Sequence, residues 1–119
     1  RHLKEIVTQM DYLPLLFSDA YEFARRLVAF SLRNAIFCDD IFFTEENLPF
    51  NQAVFFYFCN ALTEKALECG RIPDTLENRQ KLNFLFSGAG TLLRYYDGTG
   101  TESIVGILSV SIHALFPAN

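Results

Sequence analysis

TESIVGILSVSIHALF, residues 101–116, carries no Asp, Glu, Lys or Arg after Glu102. Ile104, Val105, Ile107, Leu108, Val110, Ile112, Leu115 and Phe116 surround the axis of the helix that this spacing predicts, with Thr101 as its cap and Pro117 as its stop. A helix that is apolar all round has to be buried on more than one side. A small domain can cover one side, and the other side then needs a partner. The expectation is a homodimer about a two-fold axis, with this helix and its predecessor from each copy forming a four-helix bundle.

The predecessor is predicted from Pro73-Asp74 onward, with Asp74 or Thr75 as cap. Leu82, Leu85, Phe86, Ala89, Leu92, Leu93 and Tyr96 repeat at intervals of three and four. Ser87-Gly88-Ala89-Gly90 interrupts its middle, and each glycine costs a helix interior about 1 kcal/mol relative to Ala. Close approach of another backbone is the expected reason. The candidate dimer interface is therefore Leu85, Gly88, Ala89 and Leu92 together with Ile104, Leu108, Ser111 and Leu115.

Further upstream, Asn51 is a candidate cap for a helix that reaches Cys69 and stops at Gly70. Its run AVFFYF, residues 53–58, reads in isolation as a buried strand; the Ala, Leu, Glu and Lys that follow favour helix. Asp39 to Pro49 reads as a short helix or turn. Ser18 or Asp19 caps a helix running to about Phe37, with Glu22 as capping-box partner and Phe23, Leu27, Phe30 and Ala35 on its apolar side. Leu3 to Phe17 is helical in pattern with a bend at Pro14. The fold class is all-α: a bundle of about five to six helices in one domain spanning residues 1–119.

Composition narrows the function classes. Half of the residues are hydrophobic and thirteen are Phe, which is incompatible with a disordered segment. A net charge of -4 with scattered Lys and Arg leaves no electrostatic footprint for nucleic acid. No window reads as a transmembrane helix or a signal peptide. Cys38, Cys59 and Cys69 form no CxxC pair and read as buried small hydrophobes of a reducing cytoplasm, so no disulfide, metal site or cofactor is expected. The chain opens at Arg1 in the middle of a helical pattern, as a fragment of a longer protein would.

The aromatic residues Phe23, Phe30, Phe55, Tyr57, Phe58, Phe84 and Tyr95, with Phe56 beside them, have two readings. Plain core packing is the first. The second is the lining of a pocket for a small hydrophobic molecule, with Asn60, Tyr57 and Arg33 to orient it. His113 reads as a packed interface histidine in preference to a ligand or base. Asp39, Asp40, Glu45 and Glu46 lack the order of a calcium loop and read as a solvated segment. Asp97-Gly98-Thr99-Gly100 is a turn and not a phosphate cradle. No nucleophile has a base at motif spacing, so no catalytic residues are expected and an enzyme is the weakest reading.

The stretch ALTEKALECGRIPDTLENRQKLNFLFSGAGTLLRYYDGTGTESIVGILSVSIHALF, residues 61–116, has a helix ending in Gly-Arg-Ile, then Pro-Asp and a helix with a small-residue centre ending in aromatics. A polar turn and a short apolar helix complete it. In that order and those lengths it resembles the last three helices of TetR-family transcriptional regulators. The resemblance implies an effector-binding and dimerisation domain that senses a small hydrophobic molecule, with the helices around 19–37 and 50–69 enclosing the pocket. The family's helix-turn-helix is absent from these residues, so DNA would be contacted only through a segment outside this chain. The competing reading is a helical protein–protein interaction module, an adaptor or scaffold fragment with no small-molecule ligand.

Overall fold

The computed structural model describes residues 2–34, 48–94 and 96–117. The described backbone is all-helical, in the order α1 (His2–Gln9), a 3₁₀ turn (Leu13–Phe17), α2 (Ala20–Arg33), α3 (Leu48–Glu68), α4 (Leu76–Leu92) and α5 (Thr101–Leu115). It is a helical bundle, as the periodicities predict. Cys38, the acidic residues from Asp39 to Glu46, and the candidate pocket residue Tyr95 lie outside the described residues.

Local chemistry sets most boundaries. Pro14 sits in the first turn of the 3₁₀ segment, where its missing N–H is no loss, and α1 has already ended at Gln9. Asp19 caps α2, its carboxylate accepting from the Glu22 amide at 3.1 Å. The Glu22 carboxylate does not complete a reciprocal box. It binds the guanidinium groups of Arg25 and Arg26 at 3.1 and 2.9 Å, while the Asp19 amide that a box would use donates to the Leu15 carbonyl at 2.8 Å. These guanidiniums hold Glu22 below the usual carboxylate range.

α3 begins at Leu48, ahead of Asn51, with Pro49 accommodated in its first turn. It stops as predicted before Gly70, whose φ of 72° is left-handed and suits a residue without Cβ. Thr75 caps α4, accepting from the Asn78 amide at 3.1 Å. At α5 the expected cap is displaced by one residue. Gly100 precedes the helix with a φ of 69°, and Thr101 is the first helical residue. Its hydroxyl donates to the Gly98 carbonyl at 3.2 Å and lies 2.6 Å from the Tyr96 hydroxyl, so it is spent on the turn.

The packing order differs from the sequence expectation in one respect. α5 lies chiefly on α2, and α3 on α4, whereas α4 and α5 touch less extensively. The buried side of α5 is the narrow stripe Val105, Leu108 and Ile112. It meets a core to which α2 brings Ala20, Phe23, Ala24, Leu27 and Val28, all buried. Small residues at Ala20 and Ala24 keep that face low. Met10, Leu13, Leu16, Leu82 and Ile112 are fully enclosed. Tyr12 is buried between Phe23 and Phe30, with ring centroids at 5.6 and 6.4 Å, and that burial pushes its hydroxyl pKa well above the ordinary tyrosine value.

Two contacts fix the ends. The Phe116 ring stands edge-on to Phe17, with centroids 5.5 Å apart, and the Lys81 ammonium lies 5.8 Å from the centroid of the same ring. Arg79, at the start of α4, binds Glu64 of α3 and, at 2.7 Å, Asp74 of its own leader. This cluster is solvent-exposed, so it orients α4 more than it stabilises it. No helix among the described residues is long and apolar enough to cross a membrane.

Burial, and not capping, therefore dominates stability. Asp19→Ala is expected to cost about 1 kcal/mol, whereas Leu82→Ala, which opens a hole at a fully buried position, is expected to cost about 3 kcal/mol. Urea unfolding of both variants with unchanged slope checks the ranking; an equal loss would contradict it.

Candidate functional site

Three helices present matching stripes to one another. Leu27, Phe30 and Ser31 come from α2, Phe55, Phe58, Cys59 and Leu62 from α3, and Phe86, Ala89 and Gly90 from α4, with Leu93 just beyond it. Each stripe follows the three-four spacing of a single helix face. With Met10 they line a cavity of about 70 Å³ whose walls carry no charged side chain. Drug-sized ligands occupy roughly 300 Å³ or more, so this space as it stands suits something much smaller.

The polar groups at the cavity are Ser31 and the Cys59 thiol. Burial pushes the Cys59 thiol up, opposed in part by the Ser87 hydroxyl, which lies 3.8 Å from Sγ. Cys59 is thus a neutral, weakly polar wall atom and not a nucleophile. One turn on, the buried Thr63 hydroxyl donates back to the Cys59 carbonyl at 2.9 Å, which satisfies its own donor.

Of the aromatic candidates, Phe30, Phe55 and Phe58 line the cavity. Phe23 is buried but packs against Tyr12, in the core. Tyr57 is exposed on the other side of α3, in a surface depression shared with Val7 and Lys65. Phe84 is 71% exposed on the outer side of α4. Asn60 and Arg33 are exposed, and the Arg33 guanidinium lies 6.0 Å from the centroid of the Phe30 ring. Sequence reasoning missed Met10, Leu27, Cys59, Leu62, Phe86 and Gly90. The signal for several was present: counting from Phe55 by three and four reaches Phe58, Cys59 and Leu62 and skips Phe56 and Tyr57.

The two glycines of α4 have different surroundings. A Cβ built on Gly90 would lie 2.5 Å from Cζ of Phe55 and closer still to Cε1. The close approach expected from sequence exists there, but it is made by an aromatic side chain and not by a backbone. A Cβ on Gly88 would meet nothing within 4 Å. Gly88 opens instead into a long shallow groove between α4 and α5, lined also by Phe84, Thr91, Leu92, Ile107 and Ser111.

Leu85, Ala89 and Leu108 form the floor of that groove and are nearly fully buried within the subunit. Ile104 and Leu115 are half-buried on α5, and His113 is exposed. Ile107 and Val110 are 50% and 70% exposed. The Ser111 and Thr91 hydroxyls donate to carbonyls of their own helices, at 2.8 and 3.1 Å, so the groove wall asks for no external hydrogen bond.

Neither family models, nor curated proteins, nor solved structures yield a match to this chain. Its cavity is therefore read from its own chemistry, beginning with the thiol in its wall. Iodoacetamide labelling at pH 8, resolved by peptide mass spectrometry, is expected to modify Cys59 more slowly than the half-exposed Cys69 by on the order of tenfold. Equal rates in the folded protein would show that Cys59 is open to solvent.

Proposed function

We propose that this chain is the effector-binding and dimerisation domain of a TetR-like transcriptional regulator. Two copies associate through the groove between α4 and α5. The observation that carries this reading is the outer face of those helices. Phe84, Ile107 and Val110 are largely exposed, Gly88 faces open space, and no Asp, Glu, Lys or Arg lines the groove.

A second copy is the occupant that this chemistry favours. Each subunit carries a net charge of -4, and a charge-free strip is where two such chains can meet without setting like charges against each other. A two-fold axis would set the strip against itself. The α4 and α5 helices are roughly 25 and 22 Å long, enough for an extended contact. The cavity beneath α3 lies on the inner side of α4, where a small hydrophobic effector would press on the same helix that forms the interface. An adaptor has no need of such a cavity. In this reading DNA is contacted by a segment outside these residues.

Sedimentation tests the interface. The chain is expected to be dimeric at micromolar concentration, and Ile107→Glu to weaken association by at least roughly 2 kcal/mol, about thirtyfold. Gly88→Leu meets nothing inside the subunit, so it should keep the fold and raise helix propensity while blocking the groove. A monomeric parent chain, or variants that stay dimeric, would remove this reading, and the monomer would favour a helical module that docks a different partner.

A further inference from the structure

We propose that two copies of this chain pair their α4 helices antiparallel, each Phe84 ring entering the gap at the partner's Gly88. This rests on the dimer reading given above and assigns the residues by which one copy recognises the other.

The geometry begins on one stripe of α4. Glu77, Lys81, Phe84, Gly88 and Thr91 follow one another at intervals of four, three, four and three, so they share a helical face. Phe84 is 71% exposed on it. Gly88 lies about 6 Å further along the axis, and a Cβ there would meet no atom within 4 Å. A bump and a gap about one turn apart complement each other when a second helix is laid end over end on the first. Residue 84 then comes level with the partner's Gly88, and residue 88 with the partner's Phe84. Both contacts form together about a two-fold axis midway between them, as a knob and a hole on each side. The groove at Gly88, open along its length, has a volume of about 420 Å³. A hole of about 150 Å³ admits benzene, so a phenyl ring has room here. Leu85, Leu92 and Ile107 give it apolar walls.

The other two-fold arrangement runs the helices parallel and sets each residue against its own copy. Ring would meet ring at 84, and gap would meet gap at 88. Glu77 and Lys81, which bind each other at 3.2 Å, would face the partner's Glu77 and the partner's Lys81. End over end, Lys81 comes level with the partner's Thr91, and no like charges on this stripe are opposed. Shape and charge select the antiparallel pair.

Sedimentation of the full chain tests the pairing. Phe84→Ala sets gap against gap, and Gly88→Phe sets ring against ring; each is expected to raise the dimer dissociation constant at least about thirtyfold. Both positions are open within the subunit, so the fold is kept, which circular dichroism checks. Phe84→Ala and Gly88→Phe in one chain exchange the ring and the gap, and the dissociation constant is expected to return to within about tenfold of the parent's. Cross-linking reads the orientation and does not depend on Gly88→Phe folding. Oxidation of mixed Phe84→Cys and Gly88→Cys chains is expected to link residue 84 to residue 88, located by peptide mass spectrometry, because level positions on touching helices lie within the roughly 7 Å that a disulfide spans. A dimeric parent whose mixture links 84 to 84, or forms no link from 84 to 88, overturns the pairing and leaves the dimer reading standing. So does a folded double variant that associates no more tightly than the single ones. A monomeric parent removes both.

Discussion

A helix with no charge beyond its first turn has to find apolar cover along its length, and α5 finds it by lying on α2. Val105, Leu108 and Ile112 disappear into the core there, and the fully enclosed Met10, Leu13, Leu16 and Leu82 belong to the same cluster. The T-shaped contact of Phe116 with Phe17 and the Lys81 ammonium near its ring hold the end of α5 in this position. Because α2 takes that stripe, the remaining faces of α5 are left to α4 and to solvent.

α4 is the element on which the inner and outer features of the molecule converge. Its Phe86, Ala89 and Gly90 face the cavity, and its Phe84, Leu85, Gly88 and Leu92 face the groove. Ala89 lines both. The small-residue centre SGAG serves these two neighbours differently: Gly90 yields room to the ring of Phe55, and Gly88 keeps the floor of the groove low. The charged cluster of Arg79, Glu64 and Asp74 orients the start of this helix from outside, at the surface, where its contribution to stability is modest.

Much of the candidate site could be read in the residue spacing, and the remainder could not. The stripe Phe55, Phe58, Cys59 and Leu62 keeps one helical face and was available to counting. So was Phe84, which falls off the Leu82, Leu85, Phe86 and Ala89 repeat and emerges 71% exposed. What counting could not supply is the phase of the all-apolar run at 53–58, because hydrophobicity on every side does not say which stripe faces inward; Phe56 and Tyr57 emerge exposed while Phe55 and Phe58 turn inward. Leu108 and Ile107 are adjacent and equally apolar, yet one is core and the other open.

What residue order determined by itself is the helical class and the main breaks. Periodicity, a cap at Ser18 or Asp19 and another at Asp74 or Thr75, the glycine stop at Gly70 and the turn at residues 97–100 act over a few residues, and such interactions are present in the sequence without reference to the rest of the chain; the structure takes Asp19 and Thr75 from the two pairs. Tertiary structure alone decided that α5 packs on α2 more than on α4, and that Thr101 spends its hydroxyl on Tyr96 and Gly98. It also decided that one glycine of α4 meets a Phe ring while the other meets nothing. These outcomes depend on how whole faces fit together, and burial is set by the sum of many weak, non-directional contacts between residues far apart in sequence.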